Sequence, residues 1–177
     1  MRILGVSGSL RADSYNTALL RAAQAATAGE GVEIELWEGL ADLPAYDQDL
    51  EDDVPAAVRR LREEWAAADA ILFATPEFNG SVPGALKNAI DWASRPRGEA
   101  PLLNQVVAVV GTSTGQFGAL WAQQDLRRIL GIAGARVVGE ELPVARAQDG
   151  FAEPVLEGLR DTVEALVLAA EADPIAA

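Results

Sequence analysis

The sequence predicts an α/β fold in which helices cover both faces of a parallel β-sheet. Short apolar segments alternate with amphipathic ones along the chain, an order typical of strand–helix repeats with right-handed crossovers. Residues 3–7, 70–75 and 106–111 are apolar almost throughout rather than at every second position, and strands buried on both faces have this pattern. The 177 residues contain no linker or low-complexity tract, so we expect one domain over residues 1–177.

Strands and helices follow one another in strict alternation. We assign strands to residues 3–7, 32–37, 70–75, 106–111 and, from a weaker pattern, 136–139, and helices to residues 15–28, 55–68, 83–93, 118–130 and 154–171. The helices at residues 83–93 and 154–171 have their apolar residues on one stripe, as expected for a helix that packs on a sheet. Five parallel strands in this sequence favour a flavodoxin-like strand order of 2-1-3-4-5, and a Rossmann arrangement is the alternative.

The composition restricts the chemistry that the side chains can perform. The chain has neither cysteine nor histidine, which excludes disulfides, thiolate nucleophiles and the commonest general base. The acidic residues between 47 and 53 lack the glycine and the glutamate of a calcium loop, so we predict no metal site. A bound organic cofactor is therefore the leading source of reactivity.

Charge and hydropathy indicate which partners to expect. Fourteen basic and 27 acidic residues give a net charge of −13, which disfavours nucleic acid and anionic membrane surfaces as partners. No apolar run approaches the roughly 18 residues of a membrane-spanning helix, and residues 1–6 do not resemble a signal peptide. We expect a cytoplasmic protein whose partners are small molecules.

The connection after the first strand, residues 7–17, is called loop 1 here. It contains hydroxyl, amide and guanidinium donors at Ser9, Arg11, Ser14, Asn16 and Thr17. These donors lie beside the N-terminus of the first helix, and a phosphate monoester binds where several donors and a partial positive charge converge. A polar turn with Asp13 or Ser14 as helix N-cap would have the same composition, and that alternative stays open.

Two further connections, loop 2 (residues 75–83) and loop 3 (residues 111–118), follow the third and fourth strands. In loop 2, Asn79-Gly80 favours a tight turn with positive φ, beside the aromatic ring of Phe78. Loop 3 has three glycines together with hydroxyl and amide groups, which suits either close approach to a flat ring or a flexible connector. Strands 1, 3 and 4 are neighbours in the order 2-1-3-4-5, so all three loops should meet at one edge of the sheet.

These motifs resemble the NADPH-dependent FMN reductase family, which includes quinone, azo-dye and chromate reductases. The resemblance covers most of the chain and is carried by loop 1, by the segment from Pro76 to Trp92, by loop 3 and, in part, by residues 43–50. It implies that the FMN phosphate is held by Ser9, Arg11, Ser14, Asn16 and Thr17, and that the flavin ring is lined by Pro76, Glu77, Phe78, Asn79 and Gly80, with Ser113 and Gly115 at its other edge. Members of the family usually have tyrosine at the position that Phe78 occupies in this chain. The resemblance therefore implies that stacking on the flavin is retained and that the hydrogen bond of a phenol hydroxyl is lost.

The resemblance also implies a function. It predicts an enzyme that reduces a quinone, free flavin, azo compound or similar acceptor by ping-pong hydride transfer from NADPH or NADH through bound FMN, in a homodimer or homotetramer. No catalytic side chain is needed, although Glu77 is a candidate proton relay, and we expect Arg95 or Arg97 to receive the phosphates of the nicotinamide nucleotide. An electron-carrier flavodoxin and a non-enzymatic flavin- or nucleotide-binding regulator are the alternatives.

Overall fold

The computed structural model describes residues 1–172 and contains six strands and five α-helices in that range. The strands are β1 Arg2–Ser7, β2 Glu33–Trp37, β3 Ala70–Thr75, β4 Val106–Thr112, β5 Arg136–Val137 and β6 Leu142–Val144. The helices are α1 Tyr15–Ala26, α2 Ala56–Ala66, α3 Gly84–Ala93, α4 Leu120–Ile132 and α5 Glu153–Ala172. Short 3-10 turns occupy Leu40–Asp42, Gln48–Leu50 and Ala147–Asp149. None of the helices described is long and apolar enough to cross a membrane.

The sheet is parallel and has the order β2-β1-β3-β4-β5, which confirms the predicted order 2-1-3-4-5. Strand β2 is added on one side of β1, and β3, β4 and β5 are added on the other side. The strand order therefore reverses between β1 and β3, as in flavodoxin-like sheets, and the Rossmann alternative is wrong. Val6 near the end of β1 pairs with Trp37 on one side and with Phe73 on the other. The ends of β1 and β3 consequently lie side by side, and loops 1 and 2 leave the sheet as neighbours.

The fifth position of the sheet differs from the prediction. We expected one strand at residues 136–139, whereas β5 ends at Val137 and a separate strand, β6, pairs with the later part of β4. Gly139, with a φ of 67°, lies between the two segments. The sequence obscures β6 because Pro143 has no N–H group to donate to a ladder. The structure tolerates this proline because β6 pairs with β4 alone, at the edge of the sheet.

Helices cover both faces of the sheet. One hydrophobic cluster joins the sheet to α1 and α5 and includes Leu19, Leu20, Leu159, Val163 and Leu166. The other joins it to α2, α3 and α4 and includes Leu61, Trp65, Leu86, Ile90, Leu126 and Leu130. Every residue of β3 and β4 is buried. Burial between two helical layers is the physical reason why these strands are apolar at consecutive positions.

The helix ends lie within two residues of the predicted ones, which is the usual uncertainty of such boundaries. Helix α4 begins two residues late because Gly118 and Ala119 have φ values of 56° and 60°, in the left-handed region. Gly118 is also in close contact with β6: an added Cβ would lie 2.5 Å from the carbonyl carbon of Pro143. A side chain at residue 118 would therefore displace the strand that supports loop 3.

Helix α3 holds the connection between β2 and α2 through Asn88 and Trp92, an arrangement that we call the α3 clamp. The side-chain amide of Asn88 donates to the carbonyl of Pro44 at 2.9 Å and accepts from the N–H of Tyr46 at 2.7 Å. The indole N–H of Trp92 donates to the same Pro44 carbonyl at 2.9 Å, and its ring meets that of Tyr46 edge-on at 4.9 Å. The Tyr46 hydroxyl in turn donates to Glu51, which raises the pKa of Tyr46.

Candidate active site

Loop 1 presents a helix N-terminus with an arginine beside it. Ser14 is the N-cap of α1, and its Oγ accepts the N–H of Thr17 at 3.3 Å, which leaves its hydroxyl hydrogen able to donate. The first turn of α1 contains no acidic residue that would offset the positive end of the helix dipole. The exposed Arg11 donates to the carbonyl of Asp13 and lies over the ring of Tyr15 at 4.9 Å. Loop 1 therefore combines a cation, a hydroxyl and a helix N-terminus.

Loops 1 and 2 are in direct contact because residue 8 is glycine. The N–H of Gly8 donates to the carbonyl of Ala74 at 2.8 Å. A Cβ at this position would lie 2.9 Å from Leu86 and 3.3 Å from Pro76. A side chain at residue 8 would therefore require the Leu86 side chain to move and would crowd Pro76 of loop 2.

Loop 2 contains a two-residue hairpin that carries an exposed aromatic ring. Phe78 and Ser81 exchange two backbone hydrogen bonds, each of 3.1 Å. Between them Asn79 and Gly80 have φ values of 53° and 74°, the pair of positive angles of a type I′ turn. The predicted tight turn is confirmed. Phe78 is 60% exposed, so its ring is accessible to a ligand and is not part of the core.

The hairpin is fastened to the first turns of α4. The Glu77 carboxylate accepts the N–H of Ala122 at 3.1 Å, and the Ser81 hydroxyl donates to Asp125 at 2.7 Å. Helix α4 has no side-chain cap of its own, so Glu77 satisfies one of its free N–H groups. The Glu77 carboxylate is therefore bonded to a backbone N–H group of α4.

Asn16 ties loop 1 to loop 3. Its side-chain amide donates to the carbonyl of Thr112 and accepts the N–H of Thr112, both at 3.1 Å. Asn16 is only 3% exposed, so these are buried bonds between residues 96 positions apart in the chain. The prediction of Asn16 as a direct phosphate donor now depends on the second N–H of its amide. The bond to Thr112 fixes the spacing of the two loops.

Loop 3 rests on the segment that follows β6. The N–H of Ser113 donates to Val144 at 3.2 Å and its carbonyl accepts from Ala147 at 3.1 Å, while the carbonyl of Gly115 accepts from Arg146 at 3.2 Å. This support could not be predicted from the sequence, because it depends on strand β6, which was not predicted. Within residues 1–172, the N–H groups of Thr114 and Gly115 donate to no protein acceptor.

The three loops enclose one cleft of about 260 Å³ at the carboxyl edge of the sheet. Eight predicted residues line it: Ser9, Arg11, Ser14, Asn16, Pro76, Glu77, Phe78 and Ser113. Tyr15, Thr112 and Thr114 also line it and were not predicted, although each is adjacent in sequence to a predicted residue. Four predicted residues do not line the cleft, namely Thr17, Asn79, Gly80 and Gly115. Thr17 lies instead on a neighbouring cavity, where its hydroxyl donates to Ser7 at 2.9 Å.

The two arginines expected to receive a nucleotide are not at this cleft. Arg95 and Arg97 line a separate cavity of about 630 Å³ between α3 and α4. They follow the C-terminal end of α3, whose ten residues span about 15 Å, whereas loop 2 precedes its N-terminal end. Arg95 is moreover paired with Glu51 at 3.3 Å. Within one chain, the structure therefore does not support our expectation for Arg95 and Arg97.

Comparison with known proteins agrees with this geometry. Residues 1–149 match the sequence model of the NADPH-dependent FMN reductases. The chain belongs to this family. The reductase is 44% identical to an NAD(P)H-dependent FMN reductase of Pseudomonas aeruginosa over 153 residues, which are 85% of this chain and 81% of the relative. It is 41% identical to a 2-hydroxy-1,4-benzoquinone reductase of a Burkholderia species, over 73% of this chain and 69% of the relative.

Solved structures show the same relationship. The reductase superposes on the flavoenzyme NAD(P)H:(acceptor) oxidoreductase of Paracoccus denitrificans with a TM-score of 0.83 and 36% identity, over 97% of each chain. A flavodoxin of Pseudomonas aeruginosa, 19% identical with a TM-score of 0.57, shares the fold alone. The reductase is thus an FMN-dependent NAD(P)H oxidoreductase acting on a small acceptor, as the sequence motifs predicted.

Proposed function

We propose that the cleft between loops 1, 2 and 3 holds FMN and that the reductase passes electrons from NAD(P)H to a quinone. The observation that carries this proposal is the convergence of the three loops on one cleft, with phosphate-binding groups in loop 1 and an exposed aromatic ring in loop 2. Relatives named quinone reductases in Pseudomonas putida and Escherichia coli support the choice of acceptor. An uncharged, planar quinone is also not repelled by a chain of net charge −13.

The residues of loop 1 fit a phosphate monoester. Arg11 makes one hydrogen bond to a protein carbonyl, and a guanidinium has five N–H donors. The hydroxyls of Ser9 and Ser14 accept backbone N–H groups and keep their own hydrogens for a ligand. Charge-assisted bonds from these groups, added to the helix N-terminus, stabilise a dianion. In an acidic chain they supply the local positive potential that FMN requires.

The remainder of the cleft fits a flat heterocycle. Phe78 offers an exposed ring for stacking, and the unpaired N–H group of Thr114, which lines the cleft, is available to hydrogen-bond a polar ring edge. When bound, FMN supplies hydride acceptance from the nicotinamide and electron transfer to the acceptor. Donors fixed in place before the reaction favour a ring that gains negative charge. The cleft is also lined by Tyr15, Pro76, Thr112 and Ser113.

Other predicted residues act on the shape of the cleft. Asn79 and Gly80 form the turn that places Phe78, and Glu77 fixes this hairpin to α4. Thr17 holds Ser7 at the end of β1, directly before the donors of loop 1. We therefore assign Glu77 a positioning role and propose that no side chain of this protein exchanges a proton with the acceptor.

We further propose that the reductase is a homodimer or homotetramer in which a second copy covers the aromatic patch beside the cleft. Phe78, Phe117 and Trp121 are 60%, 49% and 46% exposed, and the last two rings are 4.8 Å apart. Phe78 belongs to the hairpin that Glu77 bonds to α4, the helix that carries Trp121, and exposed apolar side chains gathered in one region mark an interaction surface. The cleft, at about 260 Å³, is also smaller than the roughly 300–1,000 Å³ of typical ligand sites, so a partner would add its missing wall.

Replacing Trp121 by Asp tests this assembly, because it puts a charge into the patch without touching loop 1. We expect the sedimentation coefficient to fall to that of a monomer and FMN affinity to fall with it. Leu168→Asp, at an exposed position on α5, is the control and should leave the sedimentation coefficient unchanged. An unchanged oligomer in the Trp121 variant would contradict the proposed interface.

The proposed reaction is tested with the purified protein and FMN. The loaded protein, mixed anaerobically with NADPH or NADH, should lose its oxidised-flavin absorbance without any partner protein, and added benzoquinone should restore it. A carrier flavodoxin would stay oxidised until a separate reductase was supplied. Failure of the protein to bind FMN at micromolar concentration would refute the proposal. We also propose that the reductase is located in the cytoplasm, which cell fractionation tests.

A further inference from the structure

A second cavity, which we call the β2 cavity, lies on the other side of loop 1 above the carboxyl ends of β1 and β2. Its volume of about 320 Å³ lies within the roughly 300–1,000 Å³ of small-ligand sites. Ser9 lines both the β2 cavity and the candidate FMN cleft. A molecule whose phosphate is held at loop 1 can therefore extend in two directions, into the cleft and into the β2 cavity.

One wall of the β2 cavity suits a flat aromatic base. It is formed by the apolar residues Leu20, Leu36, Trp37 and Leu40. Trp37 is only 8% exposed and its indole N–H donates to Glu64, so this wall is fixed. Leu10 also lines the cavity and is 59% exposed, which places an apolar side chain at the rim. An aromatic base between them would bury apolar surface on both of its faces.

The β2 cavity also contains one cation and one anion that are not paired. Arg21 is four residues after Thr17 on α1, so the two share one face of the helix, and both line the cavity. Glu38 follows directly after β2 and lines it as well. Within residues 1–172 neither the Arg21 nor the Glu38 side chain has a hydrogen bond or an ion pair. The cavity thus offers a donor for phosphate near loop 1 and an acceptor for hydroxyl groups near β2.

We propose that the β2 cavity is a subsite for the adenosine half of flavin adenine dinucleotide, so that the reductase binds FAD as well as FMN. This inference rests on the proposed function, since the flavin half would occupy the same cleft. In the Rossmann sheet, which differs from this one in strand order but has the same β1–α1–β2 unit, phosphates bind at the first crossover and an acidic residue about 20 residues further on accepts ribose hydroxyls. Here Arg21 binds the second phosphate, Glu38 the ribose, and the wall at Trp37 the adenine.

The experiment measures the binding of FMN and FAD to the apoprotein by quenching of flavin fluorescence. We expect FAD to bind with a Kd within about tenfold of that of FMN, since the phosphate and flavin contacts are shared and the added adenosine contacts offset its ordering. Arg21→Gln should raise the Kd for FAD by about tenfold, the effect of one lost charged hydrogen bond. The same variant should change the Kd for FMN by less than about threefold. Arg97→Gln, which removes the same charge at a distant exposed site, is the matched control and should alter neither.

A second variant fills the cavity. Ala41 lines it and is exposed, so Ala41→Trp should fold and should block the adenosine while leaving FMN binding intact. FMN binding reports in the same titration that each variant is folded. Both variants leave the residues of the candidate FMN cleft unchanged.

The outcomes separate the two proposals. Binding of FMN without FAD overturns the FAD subsite and leaves the proposed function standing, whereas binding of neither flavin overturns the proposed function. If neither Arg21→Gln nor Ala41→Trp changes the Kd for FAD, the adenosine half binds elsewhere and the inference is also overturned. A third outcome also overturns the inference. If the protein does not bind FAD, but its FMN-loaded form binds ADP-ribose and Ala41→Trp abolishes that ADP-ribose binding, the cavity serves the nicotinamide nucleotide.

Discussion

Loop 1 and the α3 clamp both contain polar side chains, but they differ in how many of their hydrogen-bonding groups are bonded to the protein. In the clamp, both polar atoms of the Asn88 amide and the indole N–H of Trp92 are bonded to the protein backbone. In loop 1, Arg11 and Ser14 use only part of their capacity on the protein. Polar groups that are satisfied internally stabilise a fold, whereas clustered donors with capacity left at a cleft indicate a ligand.

This difference divides the motif from Pro76 to Trp92, which sequence inspection treats as one unit. Its first part forms the hairpin beside the cleft, and its last part holds the connection at Pro44 and Tyr46. Family resemblance in a motif therefore does not assign a ligand contact to each of its residues. Residues 43–50 also resemble the family, and two of them, Pro44 and Tyr46, are hydrogen-bonded to the α3 clamp. Their resemblance therefore also reflects a structural role.

The largest expected effect is on stability and comes from the clamp. Trp92→Ala removes a fully buried indole, its bond to Pro44 and its contact with Tyr46. We expect the free energy of unfolding to fall by about 3–5 kcal/mol, the usual cost of truncating a buried tryptophan. Urea denaturation measures it, with Leu168→Ala at an exposed position as the control. A loss below about 1 kcal/mol would show that the clamp is dispensable.

The second effect is on ligand binding and comes from loop 1. Arg11→Gln should raise the Kd for FMN by about 10–100-fold, because a hydrogen bond to a charged group contributes about 1.5–3 kcal/mol. The free energy of unfolding of the apoprotein should change by no more than about 0.5 kcal/mol, since Arg11 is exposed. Titration calorimetry with Arg97→Gln as the control measures the first quantity. Equal weakening in both variants would mean that only net charge matters.

The third effect separates the two regions most sharply. Asn88→Ala breaks the bonds to Pro44 and Tyr46 and should lower the free energy of unfolding by about 1–3 kcal/mol. FMN affinity, measured well below the denaturation midpoint, should stay within about twofold of the parent value, a difference of about 0.4 kcal/mol. A large loss of FMN affinity with unchanged stability would reverse our assignment of this half of the motif.

The smallest effect is on pH dependence. The chain has no histidine, the one side chain whose ordinary pKa lies between pH 5 and 8. We therefore expect kcat for quinone reduction to vary by less than about threefold between pH 6.5 and 8. A steep profile centred near neutrality would reveal a proton-transferring group in the cleft, with Glu77 the first residue to replace by glutamine.

Much of the fold could be predicted because the spacing of apolar residues in the sequence shows which faces of each strand and helix are buried. The continuous runs of β3 and β4 and the stripes of the five helices follow directly from the two helical layers. Strand β6 could not be predicted, since a proline is compatible with a strand only at an edge, and its edge position depends on the finished sheet. The meeting of the three loops was predicted from the ends of strands 1, 3 and 4, whereas the individual cleft residues of loops 2 and 3 were implied by the family resemblance.

Other features of the site depend on tertiary contacts that no local pattern specifies. The bond of Glu77 to α4 joins residues 45 positions apart, and the support of loop 3 requires β6. The distant location of Arg95 and Arg97 follows from the length of α3, which the sequence did predict. Their positive charge alone does not place them near the cleft, because α3 separates them from loop 2.

The bridge between Asn16 and Thr112 bears on the thermodynamics of ligand capture. Because one buried amide spans from the first crossover to the fourth strand, the apoprotein already holds both walls at their working separation. Little configurational entropy is then lost when a ligand enters. We therefore expect the affinity for the proposed cofactor to depend more on this rigid, prearranged frame than on the number of groups that touch the bound molecule.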